Sequence, residues 1–292
     1  MKSIVVGIDG SDGAKDALRW ACEEATLYGA KIIAVSVWYA PVPVTSPWLA
    51  YVDVPIDLTE PTGRGLADTV SEVVRGRFAS LEVEQRVIHG AAGPALIQQA
   101  AGSDLVVVGC RGLGGFKGLL LGSVSHQVVT HAPCAAVVVP HRPRTAGEAA
   151  QPSIVVGVDG SANSIAALRW AAERARVNGA TIRAVFAWRL PPVSPTLASV
   201  SGGLSPTEIV SHAAAITLDE YLQEAALSLD VHVERINVEG TPAKVLIDEG
   251  GRAELLVVGA RGHEGFAGLL LGSVATAVTR HAPCPVAVIP NR

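Results

Sequence analysis

The chain repeats itself at one fixed distance, and this limits its folds more than any other feature. The stretch "SIVVGIDGSDGAKDALRWA" (Ser3–Ala21) returns as "SIVVGVDGSANSIAALRWA" (Ser153–Ala171). "YGAKIIAVSVW" (Tyr28–Trp38) returns as "NGATIRAVFAW" (Asn178–Trp188), and "HAPC" at His131–Cys134 returns at His281–Cys284. The offset is constant, 159 − 9 = 150 for the aspartates and 281 − 131 = 150 for the histidines. A constant offset over nearly the whole length means a duplicated domain, not a shared short motif. With 292 residues there is room for two ordinary domains. The junction "HRPRTAGEAAQP" (His141–Pro152) is rich in proline, alanine and charge, lacks periodicity and reads as a linker. The expected division is residues 1–140, linker 141–152 and residues 153–292.

Within each copy, strand and helix patterns alternate. "SIVVGID" is a short β-branched run that ends at a turn. Ala14, Ala17, Leu18, Ala21, Ala25 and Tyr28 then recur at helical spacing, with Ser11 and Asp12 as candidate caps and Gly29 as the stop. "KIIAVSVW", "LEVEQRVI", "DLVVVG" and "AAVVVP" read as further strands. Helices are expected around Leu66–Phe78, in "PALIQQAA", and from the glycine-rich string to about His131. This alternation predicts an α/β fold with parallel strands and helices on both faces. Ligands of such folds bind beyond the carboxyl ends of the strands, where the strand order reverses.

Charge and cysteine content narrow the function classes. The formal net charge, 23 − 27 = −4, does not provide the basic excess of a nucleic-acid surface. Mean hydropathy is positive, +0.36, but no apolar run approaches the roughly 20 residues that span a bilayer. The opening "MKSIVVGIDG" lacks an apolar leader region and a cleavage site, so no secretory signal is expected. Cys22, Cys110, Cys134 and Cys284 form no C-x-x-C and suggest reduced, buried thiols in a cytoplasmic protein.

The second repeated feature is a glycine-rich string after the fourth strand, "GCRGLGGFKGLLLGSV" (Gly109–Val124) and "GARGHEGFAGLLLGSV" (Gly259–Val274). It stands where a phosphate would meet backbone N–H groups and a helix N-terminus. A P-loop needs G-x-x-x-x-G-K-[ST], but Gly118 follows Lys117 and Ala267 replaces that lysine in the second copy. The dinucleotide pattern G-x-G-x-x-G fails too, with Lys117 at its third glycine and Glu264 at the second position in the other copy. Both copies share G-x2-G-x9-G-S.

With its "VVGIDGS" and "VVGVDGS" openings, its two G-x2-G-x9-G-S strings and its two "HAPC" segments, the chain resembles a tandem universal stress protein of the ATP-binding branch. The resemblance implies two tandem flavodoxin-like (HUP-type) α/β/α domains, each a five-stranded parallel sheet of order 3-2-1-4-5. It implies ATP, one per domain, with Mg2+ as an optional companion. Asp9 and Asp159 would lie beside the adenosine, with Gly7 and Gly157 on the same floor. Val37 and Ala187, at the end of the second strand, would offer backbone groups to the adenine edge. Gly109, Gly112, Gly259 and Gly262 would wrap ribose and phosphates, with Gly115 and Gly265 in the same string. Gly122, Ser123, Val124, Gly272, Ser273 and Val274 would open the next helix onto the phosphates, and Arg111 and Arg261 would neutralise their charge.

Plainer readings stand beside these. Asp9 suits the turn chemistry of Asp-Gly, Ser123 and Ser273 could be simple helix caps, and Arg111 and Arg261 could be surface ion pairs. His131 and His281 suit helix C-termini, and no ligand spacing points to a metal. The function implied is a nucleotide-dependent regulator in a stress or dormancy response, with an adenine nucleotide and an unknown protein as partners, no nucleic acid, no membrane, and a homodimeric state. In tandem members of the family the two halves pair through their last strands. No lysine or general base accompanies both strings, which argues against efficient turnover. A weak ATPase and a nucleotide-free interaction module are the alternatives. The long loops Tyr39–Pro61 and Arg189–Pro206 differ most between the copies and are expected to cover the sites or bind partners.

Overall fold

The short apolar runs become strands because both of their faces are covered. The structure is a computed structural model that describes residues 1–39, 58–112, 121–141, 152–190, 205–228, 230–263 and 270–290. The chain divides into two units, Met1–Val128 with Ala132–Cys134, and Val129–His131 with Ala135–Arg292. In the first, β1 (Ser3–Gly7), β2 (Lys31–Trp38), β3 (Val83–His89) and β4 (Leu105–Gly109) are parallel in the order β3-β2-β1-β4. Val6 stands opposite Ala34 on one side and Val107 on the other. Ile4, Val5, Val6 and Leu105–Val107 are fully buried, as central parallel strands require.

The second unit has β6 (Ser153–Gly157), β7 (Thr181–Trp188), β8 (Val233–Glu239), β9 (Leu255–Gly259) and β10 (Val286–Ile289) in the order β8-β7-β6-β9-β10, all parallel. This is the 3-2-1-4-5 order expected of each repeat. The fifth strand of the first repeat, β5 (Ala135–Val139), belongs to this unit and runs antiparallel to β10, with Val137 opposite Ala287. The last strands of the two repeats thus pair with each other.

The helices keep their expected order with shifted ends. α1 (Asp12–Tyr28) starts at the N-cap Ser11, whose side chain accepts from the Ala14 N–H, and stops at the left-handed Gly29. α5 (Ala162–Asn178) repeats this with Ser161 and Gly179. α2 (Thr59–Val74) begins two turns before the expected Leu66, because Pro61 sits in its first turn, where a missing N–H costs nothing. α6 (Pro206–Ala225) is held by a capping box between Ser205 and Glu208. α3 (Ala92–Ala100) and α4 (Ser123–His131), with α7 (Pro242–Gly250) and α8 (Ser273–His281), complete the set. Among the described residues no helix is long and apolar enough to cross a membrane.

The copies diverge in their buried charge. Arg174, nearly inaccessible, pairs with Glu254, whose carboxylate also accepts from Asn178 Nδ2 at 2.7 Å. The first copy has Glu24 and Asp104 at these places, and Asp104 accepts from the backbone N–H groups of Lys2 at 2.6 Å and Ser3 at 3.1 Å. Burial raises the Asp104 pKa, but those N–H groups outweigh it and hold the carboxyl below the usual range.

All four cysteines are buried thiols outside any disulfide. Burial, reinforced by the neighbouring Glu23, pushes the Cys22 thiol up to about 12. A thiol so placed presents almost no thiolate at neutral pH. Cys22 is therefore expected to resist iodoacetamide at about pH 8 in the folded protein and to react once urea unfolds it. Peptide mass spectrometry checks this.

Candidate functional site

The carboxyl ends of β1 and β4 meet at the point where the strand order reverses, and both repeated motifs lie there. β1 leads into Asp9, whose Oδ1 accepts from the Ser11 N–H at 3.0 Å and the Ser11 Oγ–H at 2.6 Å. Asp159 makes the same pair of bonds to Ser161, at 3.0 and 2.6 Å. The turn reading of this aspartate is thus correct for one carboxylate oxygen. The other oxygen faces the glycine string. A Cβ built on Gly112 would stand 2.1 Å from Asp9 Oδ2, and one on Gly262 would stand 2.3 Å from Asp159 Oδ2. In the second copy this oxygen also accepts from the His263 N–H at 3.3 Å. The second glycine of each string therefore closes onto the aspartate of the first strand.

The first glycine of the string has a packing role. A Cβ on Gly109 would lie 2.6 Å from the Gly13 carbonyl oxygen, and one on Gly259 would lie 2.7 Å from Asn163 Cβ. Helix α1 or α5 thus passes against the end of the fourth strand with no room for a side chain. Gly7 and Gly157 leave space in the same way for Leu96 and Leu246, at 2.9 and 2.8 Å from the virtual Cβ.

Past these glycines, the ends of the intervening loop are tied together. The Gly122 N–H donates to the Cys110 carbonyl at 2.7 Å, and the Gly272 N–H donates to Ala260 at the same distance. Gly122 and Gly272 are the N-caps of α4 and α8, and as glycines they bring no capping side chain. Ser123 and Ser273 are accordingly first helical residues and not caps. In the first copy the Ser125 hydroxyl donates to the Gly109 carbonyl at 2.6 Å, which anchors α4 to the end of β4. Arg111 is exposed and Arg261 partly so. The carbonyl of Arg261 accepts from Asn163 Nδ2 at 3.0 Å. Gly115, Gly265 and Lys117 lie outside the described residues, as does most of both long loops.

Val37 and Ala187 complete the rim. Each is one residue short of the strand end, at Trp38 and Trp188. Val35 accepts from the Ile8 N–H at 2.8 Å, and Trp38 accepts from the Gly90 N–H at 3.0 Å on the opposite side. Strand polarity alternates with period two, so the N–H and C=O of Val37 face the same side as those of Val35. The register of β1 ends at Gly7 opposite Val35, so Val37 presents backbone groups over the point where β1 turns off at Asp9. Ala187 repeats this, with Val158 donating to Val185 at 2.9 Å and Gly240 to Trp188 at 2.8 Å.

Among the described residues the assembly is a rim of one carboxylate, backbone donors and acceptors, and a helix N-terminus. Among the described residues no group of three or more His, Cys, Asp or Glu is placed to hold a metal ion. Sequence reasoning missed Phe186 and Tyr221 beside the second rim. Their ring centroids are 6.0 Å apart in an edge-on contact, and the 150-residue offset would have shown them facing serines in the first copy.

Comparison with known proteins shows the family and the fold. Residues 1–140 and 152–290 each match the model of the universal stress protein family. The chain is 32% identical over 293 residues to Universal stress protein Rv2623 of Mycobacterium tuberculosis, covering 98% of this chain and 95% of that one. It is 31% identical over 296 residues to a universal stress protein of Mycolicibacterium smegmatis, covering 99% and 97%. The solved structure of a universal stress protein from Archaeoglobus fulgidus matches 99% of this chain and 98% of its own, with a TM-score of 0.65 at 19% identity, a likeness of fold.

The model for steric need at Gly109 is testable against a second glycine. Gly109→Ala places a Cβ against backbone and is expected to cost about 1–3 kcal/mol of stability. Gly65→Ala, inside α2 with nothing within 4 Å, is expected to gain about 0.5–1 kcal/mol. Urea unfolding of the two variants reads both signs.

Proposed function

The chain belongs to the universal stress protein family, and on that premise we propose that each repeat holds ATP over the carboxyl ends of its strands. The observation that carries this reading is the closure of Gly112 onto Asp9, and of Gly262 onto Asp159, which joins the two repeated motifs at the strand ends with no room for a side chain between them. Asp9 and Asp159 would receive the ribose hydroxyls, Val37 and Ala187 the adenine edge, and the N-termini of α4 and α8 the phosphates. An ATP so held brings a dense negative charge, which the helix ends, Arg111, Arg261 and an accompanying Mg2+ would balance.

In this reading the protein acts by binding, not by turnover, since no lysine accompanies both glycine strings. ATP then alters which surface the protein offers to a protein partner in the stress response. Localisation in the cytoplasm and assembly into a homodimer belong to the same reading.

Mass spectrometry of the nucleotide that copurifies with native protein is the first test, and retained ATP is the expected result. Calorimetric titration of nucleotide-free protein is the second. Asp9→Ala and Asp159→Ala each remove charged hydrogen bonds and are expected to weaken their own site by roughly ten- to a hundredfold while sparing the other. No nucleotide and no binding on titration would overturn the proposal, and ADP with steady turnover would replace it with an enzyme.

A further inference from the structure

The two rims share a backbone but not their side walls. In the second copy Tyr221, on α6, lies over the turn that follows β6. A Cβ built on Gly160 would meet the Tyr221 ring at 2.1 Å and its hydroxyl oxygen at 2.5 Å. Gly160 has φ +79, so it can take up this turn and also receive the ring. Phe186 of β7 backs the ring edge-on. In the first copy the register between repeats puts Ser71 and Ser36 at these places, and among the described residues nothing lies within 4 Å of the virtual Cβ of Gly10.

The ring is held where it is. The Arg169 guanidinium donates from Nε to the Ala225 carbonyl at 3.2 Å and from Nη2 to the Glu224 carbonyl at 2.9 Å, clamping the end of α6 onto α5 one turn beyond Tyr221. The counterpart Arg19 instead pairs with Asp16 on its own helix. Asp159 is half-buried where Asp9 is exposed. The Tyr221 hydroxyl is held above its ordinary pKa by burial and by the charge of Asp159, which places ring and carboxylate in one electrostatic neighbourhood.

We propose that Tyr221 is a specificity-determining residue that makes the two nucleotide sites unequal, its ring narrowing the second cradle beside Asp159 and Gly160 so that ATP fills the first repeat at lower concentration. This rests on the ATP reading above. Nucleotide entering the second cradle must displace a ring that already has a partner in Phe186, whereas serines stand at the corresponding positions of the first copy. Occupancy therefore rises in two steps with ATP concentration, so the protein has a half-filled state between empty and full.

The test isolates each site in the full-length chain. Asp9→Ala leaves the second site to be read by calorimetry, and Asp159→Ala leaves the first. In the Asp9→Ala background, Tyr221→Ser is expected to tighten ATP binding by about three- to tenfold, the worth of one aromatic pair. Tyr221→Phe keeps the ring and is expected to leave that affinity within about twofold. Tyr221→Leu keeps an apolar contact with Phe186 while uncovering Gly160, and carries the same expected gain should the serine variant not fold. In the Asp159→Ala background, Tyr221→Ser is expected to leave the first site unchanged. An unchanged second site would overturn the inference, and a weakened one would show the ring to be a stacking platform and overturn it too. Absence of ATP binding in every protein, wild type included, would sink the ATP reading and this inference with it. Binding at two equal wild-type sites would sink the inference alone.

Discussion

The inner strands and the first helix of each repeat meet at a contact with no room for a Cβ. Gly109 faces the carbonyl of Gly13, and Gly259 faces Asn163, both at less than van der Waals distance for any added carbon. Close approach here lets α1 and α5 begin directly over the seam between the first and fourth strands. The seam is also where strand order reverses, so the same contact that seats the helix creates the crevice. Everything at the rim follows from it: the turn at Asp9, the closing glycine at 112, and the backbone of Val37 left facing the gap.

Duplication has kept this backbone frame and let side chains drift around it. The frame is made of glycines, hydrogen-bonded turns and strand register, which tolerate little change because each is set by sterics or by a buried polar group that needs a partner. Side chains away from the seam answer only to local packing. Glu24 and Asp104 in one copy therefore correspond to the Arg174–Glu254 ion pair in the other, two solutions to satisfying a charge beneath the helix. The Phe186–Tyr221 pair, with serines at the corresponding positions of the first copy, is a second such divergence. A duplicated protein can by this route acquire two unlike sites without altering its fold.

Much of the architecture could be read before the structure. β4 and β9 are unbroken apolar runs, and such runs survive only with both faces covered, so parallel strands with helices on both faces followed. Ser11 and Gly29 mark the ends of α1 as expected, with Asp12 the first helical residue, and Ser161 and Gly179 repeat them in α5, because capping is a local interaction. α2 was misplaced at its start because Pro61 reads as a loop residue, although the first helical turn accepts it. The plainer reading of Ser123 and Ser273 as caps fails, because the preceding glycine takes that position.

Sequence alone determined the duplication, the alternation of strand and helix, and the sharing of one glycine spacing by both copies, because periodicity and offset are properties of the linear chain. Only the tertiary structure decided what each glycine is for. Gly109 answers to a helix backbone that is far away in sequence, and Gly112 to a carboxylate from the first strand. It also decided that β5 pairs with β10 and that Tyr221 stands over Gly160. These are contacts between residues distant in sequence, set by the three-dimensional course of the chain, and no local pattern encodes them.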